Sequence, residues 1–200
     1  MRGAMIRDAA AVVLCGGRSR RMGRDKAGVK LAGRTLLDRT LDIVRPLFAE
    51  VFVGVRAPRA GLDCAQVPDA PGGEGPIAGV AAALAWAKTP WLFVLACDMP
   101  FVSRALIGRL ARARDGRQAV APVWRGVPQP LVAFYSRDAL PAVQRRIQRR
   151  AFSLMGLLDD LDTRLLPEPE WPRGLGHELM DIDTPDALRW AKARFEERCR

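Results

Sequence analysis

Short apolar runs recur along the chain, and stretches with helical spacing lie between them. Ala10 to Leu14 is an apolar run of strand length. Thr35 to Leu47 predicts a helix, with Leu37, Leu41, Val44 and the adjoining Phe48 spaced along one face. "VFVGV", Val51 to Val55, reads as a second strand, and a short third strand leads to Val67. A Gly/Pro-rich loop, "PDAPGGEGP" at 68–76, precedes an Ala-rich helix from Ile77 to Ala87. "WLFVLAC", Trp91 to Cys97, is apolar throughout, as in a central strand covered on both faces. Ser103 is placed to cap a helix through Ala113. Strands are expected near Ala119 to Trp124 and Leu131 to Tyr135, and helices at Asp138 to Arg150 and Phe152 to Leu158. A last short strand is expected at Leu179 to Ile182, and a closing helix at Asp186 to Arg198 with Leu188, Ala191 and Phe195 on one face. This alternation predicts a three-layer α/β/α sandwich with a mostly parallel central sheet. The 200 residues fit one domain, 1–200. The longest irregular stretch is 167–178, "PEPEWPRGLGHE".

Composition narrows the class. Hydrophobic residues make up 49% of the chain and charged residues 27%, as in a soluble globule. No apolar run approaches the roughly 20 residues of a membrane helix, and the N-terminus lacks a signal pattern. A cytoplasmic protein with no membrane partner is expected. Cys15, Cys64, Cys97 and Cys199 form no C-x-x-C pair, so they are read as free thiols rather than a zinc site. The formal net charge of +10 raises the question of nucleic acid. Of 32 basic residues, however, only Lys26, Lys30, Lys88 and Lys192 are lysines, and the arginines are scattered. They form no long block and do not interleave with aromatics. A local anionic small-molecule site accounts for the one dense loop equally well.

That loop carries the first chemistry. "VVLCGGRSRRMGRDK" runs from Val12 to Lys26 and sets four arginines and a lysine directly after a strand. It has no G-K-[ST] ending and no G-x-G-x-x-G. Gly16 and Gly17 nevertheless let backbone amides approach a ligand, and Arg18, Arg20, Arg21 and Lys26 can bind phosphates. A solvated basic turn is the plain alternative. In an open parallel sheet, ligands gather at the carboxyl ends of strands. Residues 15–26, 54–56, 69–79, 97–100 and 181–185 all fall there. Asp98 follows an apolar strand, which suits Mg²⁺ shared with phosphate oxygens; its alternative is a turn cap before Pro100. Asp183 or Thr184 could equally cap the closing helix. His177, the single histidine, has no recognisable nucleophile beside it. "RRIQRR" at 145–150 reads as a solvated helix face or a hold for an anionic partner.

Five segments occur in order: "LCGGRSRRMGRDK", "GPIAG" at 75–79, "ACDMPF" at 96–101, "QPLVAFY" at 129–135 and "DIDTPDAL" at 181–188. Together they resemble the molybdenum cofactor guanylyltransferases, nucleotidyltransferases with a Rossmann-like, nucleotide-diphospho-sugar-transferase-type fold. The resemblance implies transfer of GMP from GTP to molybdopterin with release of pyrophosphate, and Mg²⁺ as cofactor. It implies nucleotide contacts from Leu14, Cys15, Gly16, Gly17, Arg18, Lys26, Asp69 and Asp98. It further implies Lys26, Asp98 and Arg21 at the reaction centre, metal contacts from Asp98 and Asp183, and pterin contacts from Gly79, Asp181 and Asp183. Transient contact with molybdoenzymes or their chaperones is a further implied partnership. The chain departs from the family pattern at Cys15 (Ala expected), Gly54 (Asn), Gln129 (His) and the Asp-Ile-Asp of 181–183 (Asn-x-Asn). Cytidylyl transfer to the same acceptor is the nearest alternative, and nucleic-acid binding the alternative of a different class.

Overall fold

The computed structural model describes residues 5–16, 26–171 and 177–197. Chain order is β1 (Ala9–Cys15), β2 (Lys30–Leu31), β3 (Arg34–Thr35), α1 (Leu36–Val44), β4 (Val51–Val55), β5 (Ala65–Pro68), α2 (Pro76–Trp86) and β6 (Trp91–Ala96). Then come α3 (Arg104–Ala111), β7 (Ala119–Trp124), β8 (Val127–Pro128), β9 (Val132–Ser136), α4 (Leu140–Gln148), α5 (Leu154–Asp160), β10 (Thr163–Pro167) and α6 (Pro185–Glu197). The main sheet runs β10-β7-β9-β6-β1-β4-β5, and β8 pairs with β7. β1 is parallel to both β4 and β6, β4 to β5, and β7 to β10. β9 runs antiparallel to β6 and β7. The expected three-layer, mostly parallel architecture is what the chain adopts.

Strand periodicity divides the core into two halves. Ala9, Ala11 and Val13 of β1 face one side with Phe93 and Leu95 of β6, under α1 and α3. Ala10, Val12 and Leu14 face the other with Leu92 and Val94, under α2, α4 and α5. Apolar residues on both faces explain why these strands read as continuous runs. Phe93 anchors the first half. Its ring centroid lies 5.5 Å from that of Phe48 and 4.8 Å from that of Phe134. α2 is apolar nearly all round its circumference, as a helix wedged between sheet and α4 must be. α1 starts at a capping box: the Thr35 hydroxyl accepts the Asp38 N–H, and the Asp38 carboxylate accepts the Thr35 N–H. A smaller cluster of Leu31, Leu36, Ile182 and Ala191 joins the β2–β3 hairpin to α6.

The structure departs from the sequence expectation in two places. Residues 179–182 are not a strand but the end of a turn followed by irregular chain. Leu179 and Ile182 are both buried, so burial does not follow a strand's alternation. The segment is fastened by the Ile182 N–H, which donates to the Asp98 carbonyl at 2.8 Å. Conversely, Thr163–Pro167 is a strand, although only Leu166 in it is buried. No described helix is long and apolar enough to cross a membrane.

Phe93→Ala should cost about 3–5 kcal/mol of stability, because it empties the centre of the aromatic trio. A urea midpoint that falls accordingly, at unchanged slope, is the expected result. A loss below about 1 kcal/mol would show that the trio does not anchor this half of the core.

Candidate functional site

The carboxyl ends of β1, β4, β5 and β6 converge on one edge, held by hydrogen bonds that continue past the strands. The Cys97 N–H donates to the Leu14 carbonyl at 3.1 Å, and the Asp69 N–H to the Val55 carbonyl at 3.0 Å. Asp98 thus follows a residue tied to the end of β1, and Asp69 is tied to the end of β4.

Around Asp69 the chain uses small residues. A Cβ placed on Gly79 would lie 3.3 Å from Asp69 Oδ1 and 2.9 Å from Leu14 Cδ2. One on Gly16 would lie 3.5 Å from Asp69 Oδ2 and 3.4 Å from Arg56 Cγ. Leu14, Gly16, Arg56, Asp69 and Gly79 therefore form one cluster. Gly54 lies inside β4, and a Cβ there would come within 2.6 Å of Leu14 Cδ2. The Leu14 side chain occupies the space that a side chain at 54 would take. Arg56, not residue 54, is the first residue beyond that strand. Burial pushes the Asp69 carboxyl above the ordinary carboxylate range, opposed by the nearby Arg56 guanidinium.

Past the end of β6 lies a pocket of about 420 Å³, lined by Asp98, Asp181, Trp124, Arg125 and Gln129 together with apolar residues such as Leu131 and Leu179. Its walls are held by named bonds. The buried Tyr135 hydroxyl donates to the Pro130 carbonyl at 2.8 Å, the Ala96 N–H to the Leu131 carbonyl at 3.0 Å, and the Gln129 N–H to the Pro122 carbonyl at 2.9 Å. Asp181 is brought in by the bond between its neighbour Ile182 and the Asp98 carbonyl. Glu178 secures the same segment by accepting the Ser103 N–H at 3.3 Å, at the start of α3. Burial raises the Glu178 carboxyl above its usual range, and the contact with Ser103 partly offsets this.

The sequence-derived residues thus separate into two groups. Leu14, Gly16, Asp69 and Gly79 stand together; Asp98 and Asp181 share the pocket. Gly79, expected near the pterin, lies in the Asp69 cluster. Cys15 ends β1 as a half-buried free thiol. Asp183 does not line the pocket. It is not the helix cap either, because the Thr184 hydroxyl accepts the Ala187 N–H at 3.1 Å. Gly17, Arg18, Arg20 and Arg21 lie outside the described residues, as does the Lys26 side chain. His177 is exposed and packs edge-on against Trp190, 5.1 Å between centroids, away from the pocket lining. Sequence reasoning did not assign roles to Arg56, Trp124 or Arg125. The signal for the last two was "WRGV" at 124–127, an X-Gly pair between extended segments, which marks a hairpin turn.

Among the described residues, no group of three or more His, Cys, Asp or Glu side chains is gathered to hold a metal. Asp98 and Asp181, which line one pocket, nonetheless fit Mg²⁺, which usually takes one or two protein carboxylates and completes its shell with water and phosphate oxygens.

Residues 11–169 match the MobA-like NTP transferase domain. A protein of Opitutus terrae named "Probable molybdenum cofactor guanylyltransferase" is 44% identical over 147 residues, covering 70% of this chain and 72% of its own. The molybdenum cofactor guanylyltransferase of Rhizobium meliloti is 32% identical over 201 residues, covering 92% and 90%. The crystal structure of molybdopterin-guanine dinucleotide biosynthesis protein A from Archaeoglobus fulgidus superposes with a TM-score of 0.83 at 26% identity, covering 94% of this chain and 99% of its own.

The raised Asp69 carboxyl has a consequence for stability. A carboxyl whose pKa is higher folded than unfolded favours the fold when protonated, and that contribution is lost as pH rises through the folded value. Asp69→Asn removes the cost of the buried charge. Its melting temperature relative to the parent should rise between about pH 4 and about pH 7 and be no lower than the parent's at the upper end. A relative melting temperature that falls over this range would mean that the Asp69 charge stabilises the fold.

Proposed function

This chain belongs to the MobA-like NTP transferases, and we propose that within that family it is a molybdenum cofactor guanylyltransferase. It transfers GMP from GTP to molybdopterin and releases pyrophosphate. The arrangement that supports this best is that the Asp69 cluster and the pocket lined by Asp98 both sit at the carboxyl ends of β1, β4, β5 and β6, which lie side by side in the sheet.

In this reading the end of β1, Leu14 to Gly16, lies along the guanine, and Asp69 accepts hydrogen bonds from the nucleoside. The close approach at Gly16 and Gly79 suits a ligand held against backbone. Arg18, Arg21 and Lys26 neutralise the triphosphate, Lys26 as a point charge. Asp98, with Asp181 or Asp183, would hold Mg²⁺. Such an ion supplies charge neutralisation at the α-phosphate and on the leaving pyrophosphate.

No enzyme nucleophile is needed. A phosphate oxygen of molybdopterin forms the new bond to the α-phosphorus of GTP while the α–β bridging bond breaks, and pyrophosphate carries away the electron pair. The chain contributes by holding both reactants in line and by presenting fixed positive charge to the transferring group. We extend the proposal to delivery, with the dinucleotide product passing by transient contact to molybdoenzymes or their chaperones.

Purified protein incubated with GTP, Mg²⁺ and molybdopterin should form the guanine dinucleotide and pyrophosphate. GTP should be used at least about tenfold better than CTP, because a pocket that hydrogen-bonds a base edge leaves polar groups unpaired with the wrong base. Asp98→Asn should remain folded and lose at least about a hundredfold in turnover. Equal rates with CTP would replace the guanylyl assignment by a cytidylyl one. A folded Asp98→Asn enzyme with near-parental turnover would remove Asp98 from the metal site.

A further inference from the structure

The hairpin between β7 and β8 is built at a local cost. Its two turn residues, Arg125 and Gly126, have φ of +50° and +77°. The pairing of Trp124 with Val127 closes it as a two-residue turn of the type that favours Asn-Gly or Asp-Gly. An arginine is disfavoured in the left-handed region, where its Cβ crowds the following carbonyl oxygen. The structure braces it: the Glu168 carboxylate accepts the Arg125 backbone N–H, and the Arg125 guanidinium lies 4.7 Å from the centre of the Trp124 ring. Trp124 and Arg125 are both lining residues of the pocket that contains Asp98 and Asp181.

The charges of that pocket make Arg125 significant. Its described lining holds two carboxylates, Asp98 and Asp181, and one cation, Arg125. The Mg²⁺ that these carboxylates would hold is shared with the triphosphate, so Arg125 is the cation of the described lining left to face a phosphorylated acceptor. A guanidinium held over an indole remains a rigid fork of N–H donors, which suits phosphate. The Asp69 cluster, where the nucleotide is read, does not include this hairpin.

We propose that Arg125 binds the anionic group of the acceptor, and that Trp124 and Glu168 are positioning residues that hold Arg125 in place. The inference rests on the guanylyl-transfer reading for the identity of the acceptor, a phosphorylated pterin. It adds a residue that selects acceptor rather than nucleotide.

Arg125→Asn tests this cleanly, because asparagine suits a turn position with φ near +50° and should keep the hairpin and the melting temperature. Its KM for molybdopterin should rise about tenfold or more, its KM for GTP should stay within about twofold, and the ionic-strength dependence of kcat/KM for the acceptor should flatten. Arg125→Lys should recover part of the loss and Trp124→Phe should lose less than Arg125→Asn, because each keeps the charge in the pocket. Direct binding of molybdopterin without nucleotide, followed by tryptophan fluorescence, separates this inference from the functional reading. If the parent forms no guanine dinucleotide but binds molybdopterin, and Arg125→Asn does not, the inference stands and the functional reading fails. If folded Arg125→Asn binds or uses the acceptor like the parent, or loses GTP and acceptor affinity equally, the inference is overturned.

Discussion

The parallel ladder of β1 between β4 and β6 is the constraint on which the rest of this molecule depends. Leu14 stands opposite Gly54 on one side and Ala96 on the other, and the ladder runs on through the Cys97–Leu14 bond. This register brings Gly16, Arg56, Asp69 and Asp98 to one edge although they are spread over more than 80 positions. A slip of one residue would reverse the faces of β1 and exchange Val13 with Leu14. Both halves of the core would then lose their packing, and Leu14 would no longer fill the space above Gly54.

The same constraint explains where stability is given up. The core halves are apolar and closely packed, whereas the strand ends carry glycines, a half-buried Asp69 and an arginine with positive φ. None of these is what packing alone would select. Each lies beside either the Asp69 cluster or the Asp98 pocket. The hydrogen bonds from Tyr135, Gln129 and Ile182 hold the pocket walls to the rigid sheet, so the site is shaped by the scaffold.

Much of this was legible in the sequence, because strands buried on both faces leave unbroken apolar runs. Val51–Val55 and Ala119–Trp124 appear with the boundaries their composition suggests. Thr163–Pro167 was not legible: it is an edge strand with one buried residue and neither alternation nor an apolar run. Leu179 to Ile182 misled for the opposite reason, since its apolar residues are buried by a tethered turn and not by a sheet. At the site, Asp98 was legible as a carboxylate after a buried strand. Pairing it in the pocket with Asp181 was not, because that depends on one backbone bond between segments 84 residues apart (98 to 182). Trp124 and Arg125 were passed over because their significance comes from a turn conformation and a shared pocket.

On the proposed function, the nucleotide binds at the Asp69 cluster and the acceptor in the pocket lined by Asp98 and Arg125. A crystal structure of the protein with GTP and Mg²⁺, without acceptor, tests it most directly. The expected result is guanine density beside Leu14–Gly16 and Asp69, the triphosphate leading to Asp98, and the space beside Trp124 and Arg125 left to solvent. Guanine seated against Trp124 and Arg125, with the Asp69 cluster empty, would contradict it.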